Sequence, residues 1–237
     1  MYIRLYSSYQ MKIMVINKLN RGFDIENDGM IPIILTKIKE YLKSRNYKTI
    51  EEFMDGRINS AINEKIVLSI IKSKYGNYMK VPKIRDWYDF AIEYEDQFYP
   101  VNIKITDTTH ADNLNCKLGI YYVLCGKMPP FDNEVDWISY LKNLNKNIKE
   151  NDKDYYFLVI NKNNPKDIFV NGLKTLATLQ PNGNNLPFQC KWNINRLPIE
   201  RNFYEAKKFI LSNFGASIKQ RSEIYFIFKK FFGEYVE

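Results

Sequence analysis

The sequence predicts an α/β fold in which a central mixed β-sheet is flanked by helices, with further helices at either end of the chain. Three observations predict it: apolar residues at helical spacing over 31–46 and 59–75, three short runs rich in β-branched and aromatic residues over 78–106, and a strongly apolar strand pattern over 155–161 after a further helical stretch. Helical and strand periodicities that alternate in this way describe a sheet covered by helices. At 237 residues, with 45% apolar and 15% aromatic residues, the chain can bury a substantial core, and one compact unit over 1–237 is expected.

Over 31–46, Ile33, Ile34, Ile38, Tyr41 and Leu42 recur at helical spacing, with Pro32 tolerated in the first turn. Over 59–75, Ile62, Ile66, Val67, Ile70 and Ile71 repeat at three and four residues until Gly76 ends the pattern, and Glu64 lies within this helix. The strand-like runs 78–82, 88–94 and 98–106 follow, the last two forming a hairpin closed by Glu95, Asp96 and Gln97. A helix is expected over 113–125, with Asp112 positioned to cap it, and another over 134–148. Strands are then expected at 155–161 and 167–170, a short helix at 172–179, a long irregular segment at 180–198 rich in Pro and Asn, and a terminal helical region at 203–232. The core order is thus α, three β, α, β.

The balance of 35 Lys plus Arg against 27 Asp plus Glu gives a formal charge of +8, which favours polyanionic partners such as nucleic acid. Three cysteines without a C-x-x-C pair argue against a disulfide framework or a structural zinc site, and a reducing cytoplasm fits best. The stretch 1–14 lacks a continuous apolar segment, and no run of eighteen apolar residues occurs, so neither secretion nor membrane spanning is expected.

The informative stretch is Asp86-Trp87-Tyr88-Asp89-Phe90-Ala91-Ile92-Glu93-Tyr94, preceded by Arg85 and followed by Phe98-Tyr99-Pro100-Val101-Asn102-Ile103-Lys104-Ile105. Side chains alternate along a strand, so Asn102 and Lys104 share one face while Val101, Ile103 and Ile105 enter an apolar layer. The hairpin brings Asp89 beside them. Phosphodiester hydrolysis needs an activated water and neutralised phosphoryl charge, which oxygen-ligated Mg²⁺ can supply. Asp89 is the expected principal ligand, the Asn102 side-chain carbonyl the second, and Lys104 the group that orients water or stabilises the phosphorane. Asp86 is a rival first acid, and Glu93, four residues after Asp89, either joins the site or is solvated.

Tyr88-Asp89, a spacing of thirteen residues, and Asn102-Ile103-Lys104 resemble the PD-(D/E)xK nuclease motif, in the variant with Asn at the second acidic position. The resemblance covers roughly 59–161, the expected catalytic core, and Tyr88 stands where the signature has proline. It implies a restriction-endonuclease-like core of order αβββαβ, and a glutamate from the preceding helix at the metal site, for which Glu64 is the matching residue. It further implies a type II restriction endonuclease that cuts double-stranded DNA with Mg²⁺, acts as a homodimer on a palindromic site, and has a companion DNA methyltransferase in the host.

Reading bases in the major groove takes Arg, Lys, Asn and Gln side chains. Gln189, Lys191, Asn193, Asn195 and Arg196 alternate with Cys190, Trp192 and Ile194, as a strand offering one polar face to DNA would, so 180–237 is the expected recognition and C-terminal helical region. The polar run 106–113, with the single histidine His110, suits phosphate contact or turn capping. In the tail, Arg201, Lys207, Lys208, Lys219, Gln220 and Arg221 either hold phosphates or form a solvated basic face. Two other readings remain open: a non-catalytic DNA-binding protein on a decayed nuclease fold, and a structure-selective nuclease such as a junction resolvase.

Overall fold

The computed structural model describes residues 28–45, 47, 56–83, 86–132 and 134–236. The readings for 1–14, Asn46 and Arg85 lie outside them. In chain order the elements are helices α1 (Ile33–Ser44) and α2 (Gly56–Tyr75), strands β1 (Met79–Lys80), β2 (Phe90–Tyr94), β3 (Gln97–Thr106) and β4 (Ala111–Leu114), and helices α3 (Lys117–Cys125) and α4 (Trp137–Asn147). Strands β5 (Tyr156–Asn161), β6 (Asn164–Gly172), β7 (Gln180–Pro181) and β8 (Phe188–Lys191) follow, and helix α5 (Phe203–Phe232) comes last.

Five strands form a mixed central sheet of order β1-β2-β3-β5-β6, in which only β3 and β5 run parallel. A parallel pair needs a crossover connection, and α3 and α4 lie on it. β5 is the most apolar strand because it is covered on both faces. On one face Val101, Ile103, Tyr156, Leu158 and Ile160 pack with Ile34, Ile38 and Leu42 of α1 and Val67 and Ile71 of α2. On the other, Phe157, Val159 and Phe169 pack with α3, α4, Trp192 and Phe214. The fold is therefore α/β, a mixed central sheet with helices on both sides.

The hairpin that carries the motif is tighter than the sequence suggested. Gln97 pairs with Tyr94, leaving a two-residue loop in which Glu95 and Asp96 both take positive φ, 50° and 58°. That is the type I′ turn, whose twist matches the flanking strands and which favours Asn-Gly.

Three local readings are corrected. The helix expected from 113 begins at Lys117, because 111–114 pairs as β4 with β8 and buries Leu114 against Phe188. Asp112 accordingly caps nothing and instead accepts the Trp192 indole N–H at 2.7 Å. The stretch 172–179 is a turn, although Leu173, Leu176 and Leu179 are buried at a spacing that imitates a helix. Its backbone is claimed by other partners: Asp154 accepts from Lys174 N at 3.1 Å, and Arg201 donates to Leu176 O at 2.8 Å. Within the segment 180–198, β7, β8 and a 3₁₀ turn occupy 180–181, 188–191 and 192–194 and the rest is irregular, as expected, and β4, β8 and β7 form a second, three-stranded sheet.

α5 starts at a capping box, with Asn202 Oδ1 accepting from Glu205 N and Glu205 Oε2 from Asn202 N. Among the described residues no helix is long and apolar enough to cross a membrane.

Replacing Glu95-Asp96 by Asn-Gly should raise stability by about 1 kcal/mol, since it relieves two side chains held in the left-handed region, where most residues lose roughly 1–2 kcal/mol each, against the added freedom of the unfolded chain. Urea unfolding of the double variant measures this, and an unchanged or lower midpoint would count against the turn geometry.

Candidate functional site

Asp89 sits one residue before β2, and its N–H donates to Val101 O at 2.9 Å, extending the β2–β3 ladder by one step. The approach to it is held by aromatic packing. The buried Tyr155 hydroxyl donates to Trp87 O at 2.7 Å and its ring stacks on Trp87 at 5.7 Å, while Tyr88 packs edge-on against Phe98. Gly119 of α3 lets the Tyr155 ring approach so closely that a Cβ there would lie 2.9 Å from it. The segment 87–89 is thereby fixed from behind.

From the neighbouring strand, Asn102 Nδ2 donates to Asp89 Oδ2 at 2.8 Å and the Ile103 N–H donates to the same oxygen at 2.6 Å. Among the described residues Asp89 Oδ1 and Asn102 Oδ1 accept no hydrogen bond. Register places Asn102 beside Phe157 and Lys104 beside Val159, so both lie on the sheet face opposite α1 and α2, as the alternation requires. The Lys104 ammonium donates to Asn113 O of β4 at 3.2 Å.

Glu64 reaches the same neighbourhood from α2. It is half-buried, accepts no hydrogen bond among the described residues, and interacts electrostatically with Asp89 and Lys104. Burial first, and the Asp89 charge second, push its carboxyl up to about 7, against the pull of Lys104 and Lys65. Burial also raises the Asp89 carboxyl above its ordinary value, against the Ile103 N–H and the Lys104 charge, which favour ionisation. Two carboxyls that burial makes reluctant to ionise are thus within electrostatic reach of one lysine, an arrangement that stabilises neither charge fully and is typical of sites that bind cations or move protons.

The other acids are engaged elsewhere. Glu93 is exposed and paired with Lys80 at 2.5 Å, and Asp86 is exposed and accepts from the Trp87 N–H at 2.8 Å. Asp107 Oδ1 accepts from the backbone of Thr109 and His110, and its Oδ2 meets the His110 ring at 2.5 Å. The polar run after β3 is thus a self-capped turn, with Thr108 at φ 67°.

The row 189–196 is not one strand. β8 ends at Lys191, and the buried Trp192 begins a 3₁₀ turn, so the alternation breaks there. Gln189 and Lys191 do share the outward face of the second sheet, and Asn193 is exposed. Asn195 is fully buried: its Oδ1 accepts from Thr178 N at 2.9 Å and its Nδ2 donates to Lys191 O at 2.7 Å. Arg196 makes a bidentate pair with Asp167, both bonds 2.7 Å, and lies over Phe169. Both are therefore taken up by the fold rather than held open for a ligand. In the tail, Arg221 donates to Gly183 O and Asn184 O and Gln220 accepts from Gly183 N, tying α5 to the loop before β8.

A polar strip that the sequence reading missed continues from Lys104. Asn182 Nδ2 donates to Asn113 Oδ1 at 2.8 Å and to Gln189 Oε1 at 3.3 Å. With 113 read as the start of a helix, nothing in the sequence signalled that Asn113 would lie beside Lys104; only the β4–β8 pairing brings these amides together.

No protein-family model matches this sequence, and no curated protein matches it.

Two outcomes follow. The Glu64 carboxyl lies above its unfolded value, so the native state holds more protons between about pH 4.5 and about pH 7, and stability falls as pH rises through that window. Glu64→Gln should remove this loss: its thermal midpoint should exceed the parent's at pH 8 and approach it at pH 5, and a pH-independent difference would show that Glu64 is solvated. Asn195→Ala should destabilise by about 2 kcal/mol, because it removes the side-chain partners of the Thr178 N–H and the Lys191 carbonyl at roughly 1 kcal/mol each, whereas Lys191→Ala should be nearly neutral; chemical denaturation compares them.

Proposed function

We propose that the chain is a Mg²⁺-dependent endonuclease of restriction-endonuclease-like architecture that hydrolyses double-stranded DNA at a short specific sequence, acting as a homodimer. The observation that carries this reading is the convergence of Asp89, Asn102, Lys104 and Glu64, on three separate elements, at one end of the β2–β3 hairpin. With β4 of the second sheet set aside between β3 and α3, the order α2, β1–β3, α3, α4, β5 is compatible with an αβββαβ core, and the charge of +8 suits a polyanionic substrate.

The donor set fits a hard cation. Among the described residues no three His, Cys, Asp or Glu side chains converge on one point, and the proposed set is instead two carboxylates and an amide oxygen. Asp89 Oδ1, Asn102 Oδ1 and the Glu64 carboxylate are oxygens without hydrogen-bond donors, and oxygen ligands are what Mg²⁺ requires. When bound there, Mg²⁺ supplies positive charge to the phosphoryl group and makes a nearby water more acidic.

The chain's own groups divide the remaining work. Asp89 is oriented by the Ile103 N–H and the Asn102 amide, which leave one of its oxygens open. Asn102 replaces the like-charge repulsion that a second carboxylate at this distance would bring, at the cost of a weaker ligand. Lys104 carries the cation that faces the phosphoryl oxygens, and Asn113 O restrains its swing. Glu64, whose carboxyl burial and the Asp89 charge hold above its ordinary value, is suited to join Asp89 in holding the cation, whose charge would favour the ionised form. For base reading, the exposed or half-buried Gln189, Lys191 and Asn193 remain from the expected set, joined by Asn113 on the strip that leads away from Lys104 and that Asn182 ties together.

Digestion of unmethylated phage DNA by the purified chain, with Mg²⁺, with EDTA, and with the Lys104→Ala variant, tests the reading. Discrete fragments that require Mg²⁺ and fall by at least about a hundredfold in rate in the variant are expected, which is the usual loss when one transition-state donor is removed. DNA left intact by a protein that still binds it would refute cleavage, and cutting that survives loss of Lys104 would refute the site.

A further inference from the structure

The stripe that seats α5 on the body of the protein does not stop where the body stops. Phe203, Ala206, Ile210, Phe214 and Ser217 are its buried positions, at spacings of three or four. The same register continues through Arg221, Ile224, Phe228 and Phe231, where every residue of the helix is exposed: Ile224 by 59%, Phe228 by 47% and Phe231 by 68%. Tyr225, Ile227 and Phe232 widen this apolar face, and Lys229 and Lys230 fall outside it.

We propose that this face is where a second copy of the chain docks, the two α5 ends packing antiparallel about a twofold axis. Two features select that occupant, the spacing of the seam and a groove beside it. The spacing of three and four is that of a helix–helix seam, and it is unbroken from the part of α5 that already packs as one. The charge within this register is Arg221, whose guanidinium is committed to Gly183 O and Asn184 O, while the Lys229 and Lys230 ammoniums lie over the Tyr225 and Phe231 rings at its borders. A groove lined by Gly183, Asn184, Arg221, Ile224, Tyr225 and Phe228 lies where the helix leaves the body. From Arg221 to Phe232 the helix rises about 17 Å, so its own tip cannot reach that groove, but the tip of an antiparallel partner can.

The area is sufficient. With about 150–250 Å² per aromatic side chain and about half of each exposed, the face offers on the order of 700 Å² per copy, close to the roughly 800 Å² per partner of a standard interface. The inference names the surface for the dimer invoked above, yet rests on α5 alone.

Sedimentation equilibrium of the full chain at micromolar concentration tests it. A dimer is expected, and Phe228→Glu combined with Phe231→Glu should weaken association by about a thousandfold, two buried anchors being lost, with the far-ultraviolet circular dichroism unchanged. Orientation is read separately: a mixture of the Ile224→Cys and Phe231→Cys chains should cross-link under mild oxidation where neither alone does, since the three native cysteines are buried. A parent chain that stays monomeric, or a double variant that stays dimeric, overturns the proposal; a monomer that floats with anionic vesicles assigns the face to a membrane surface instead. A dimer that cuts no DNA would overturn only the nuclease reading, and a monomer that cuts it would overturn this proposal and the homodimer in that reading, but not cleavage.

Discussion

The register of β3 is the constraint on which the rest depends. This strand is paired on one side with β2 through a two-residue turn and on the other, in parallel, with β5, and its two faces serve different layers. Val101 and Ile103 lock into the layer beneath α1 and α2, which forces Asn102 and Lys104 to the other side. A slip of one residue would exchange the sets, burying a lysine and exposing two aliphatic side chains, so the apolar layer itself holds the polar pair in place. The Ile103 N–H that donates to Asp89 is set by the same register, and the acid, the amide and the lysine are thus positioned by one pairing decision.

What that pairing assembles is electrostatically uneasy. Burial disfavours charge on both Asp89 and Glu64, and Glu64 lacks any hydrogen-bond donor among the described residues to offset it. A fold selected only for stability has little reason to hold two carboxyls this way within electrostatic reach of a single lysine. Asn102 limits the tension, because its amide donates to the carboxylate where a third acid would repel it. The aromatic group around Trp87, packed against Tyr155 and Tyr122, supplies rigidity to the segment that carries Asp89.

The second sheet and α5 extend this core in one direction. β8 pairs with β4 directly after β3, so its polar outward face begins beside Lys104, while Phe188, Cys190 and Trp192 anchor it in the apolar layer. Arg201, Gln220 and Arg221, all plausible phosphate contacts by composition, instead donate to or accept from backbone groups of loops 174–184. Gln220 and Arg221 act as struts between α5 and the loop joining β7 to β8, and Arg201, just before α5, ties the chain to the turn after β6, while the apolar residues of the distal third of the helix stay exposed.

The sequence by itself determined the elements whose signals are local. α5 over Phe203–Phe232, the β2–β3 hairpin and the buried strand β5 follow from periodicity, and the shared face of Asn102 and Lys104 follows from strand geometry alone. Tertiary structure decided whatever depends on a distant partner. Ala111–Leu114 became a strand because β8 offered it a ladder, and 173–179 became a turn because Asp154 and Arg201 took its backbone groups. Asn195 and Arg196 carry the same polar side chains as Gln189 and Lys191, yet Thr178 and Asp167 claimed them for the fold. A side chain's chemistry is written in the sequence; whether it is spent on the fold or kept for a ligand is settled by which neighbour reaches it first, and that neighbour is fixed only when the chain has packed.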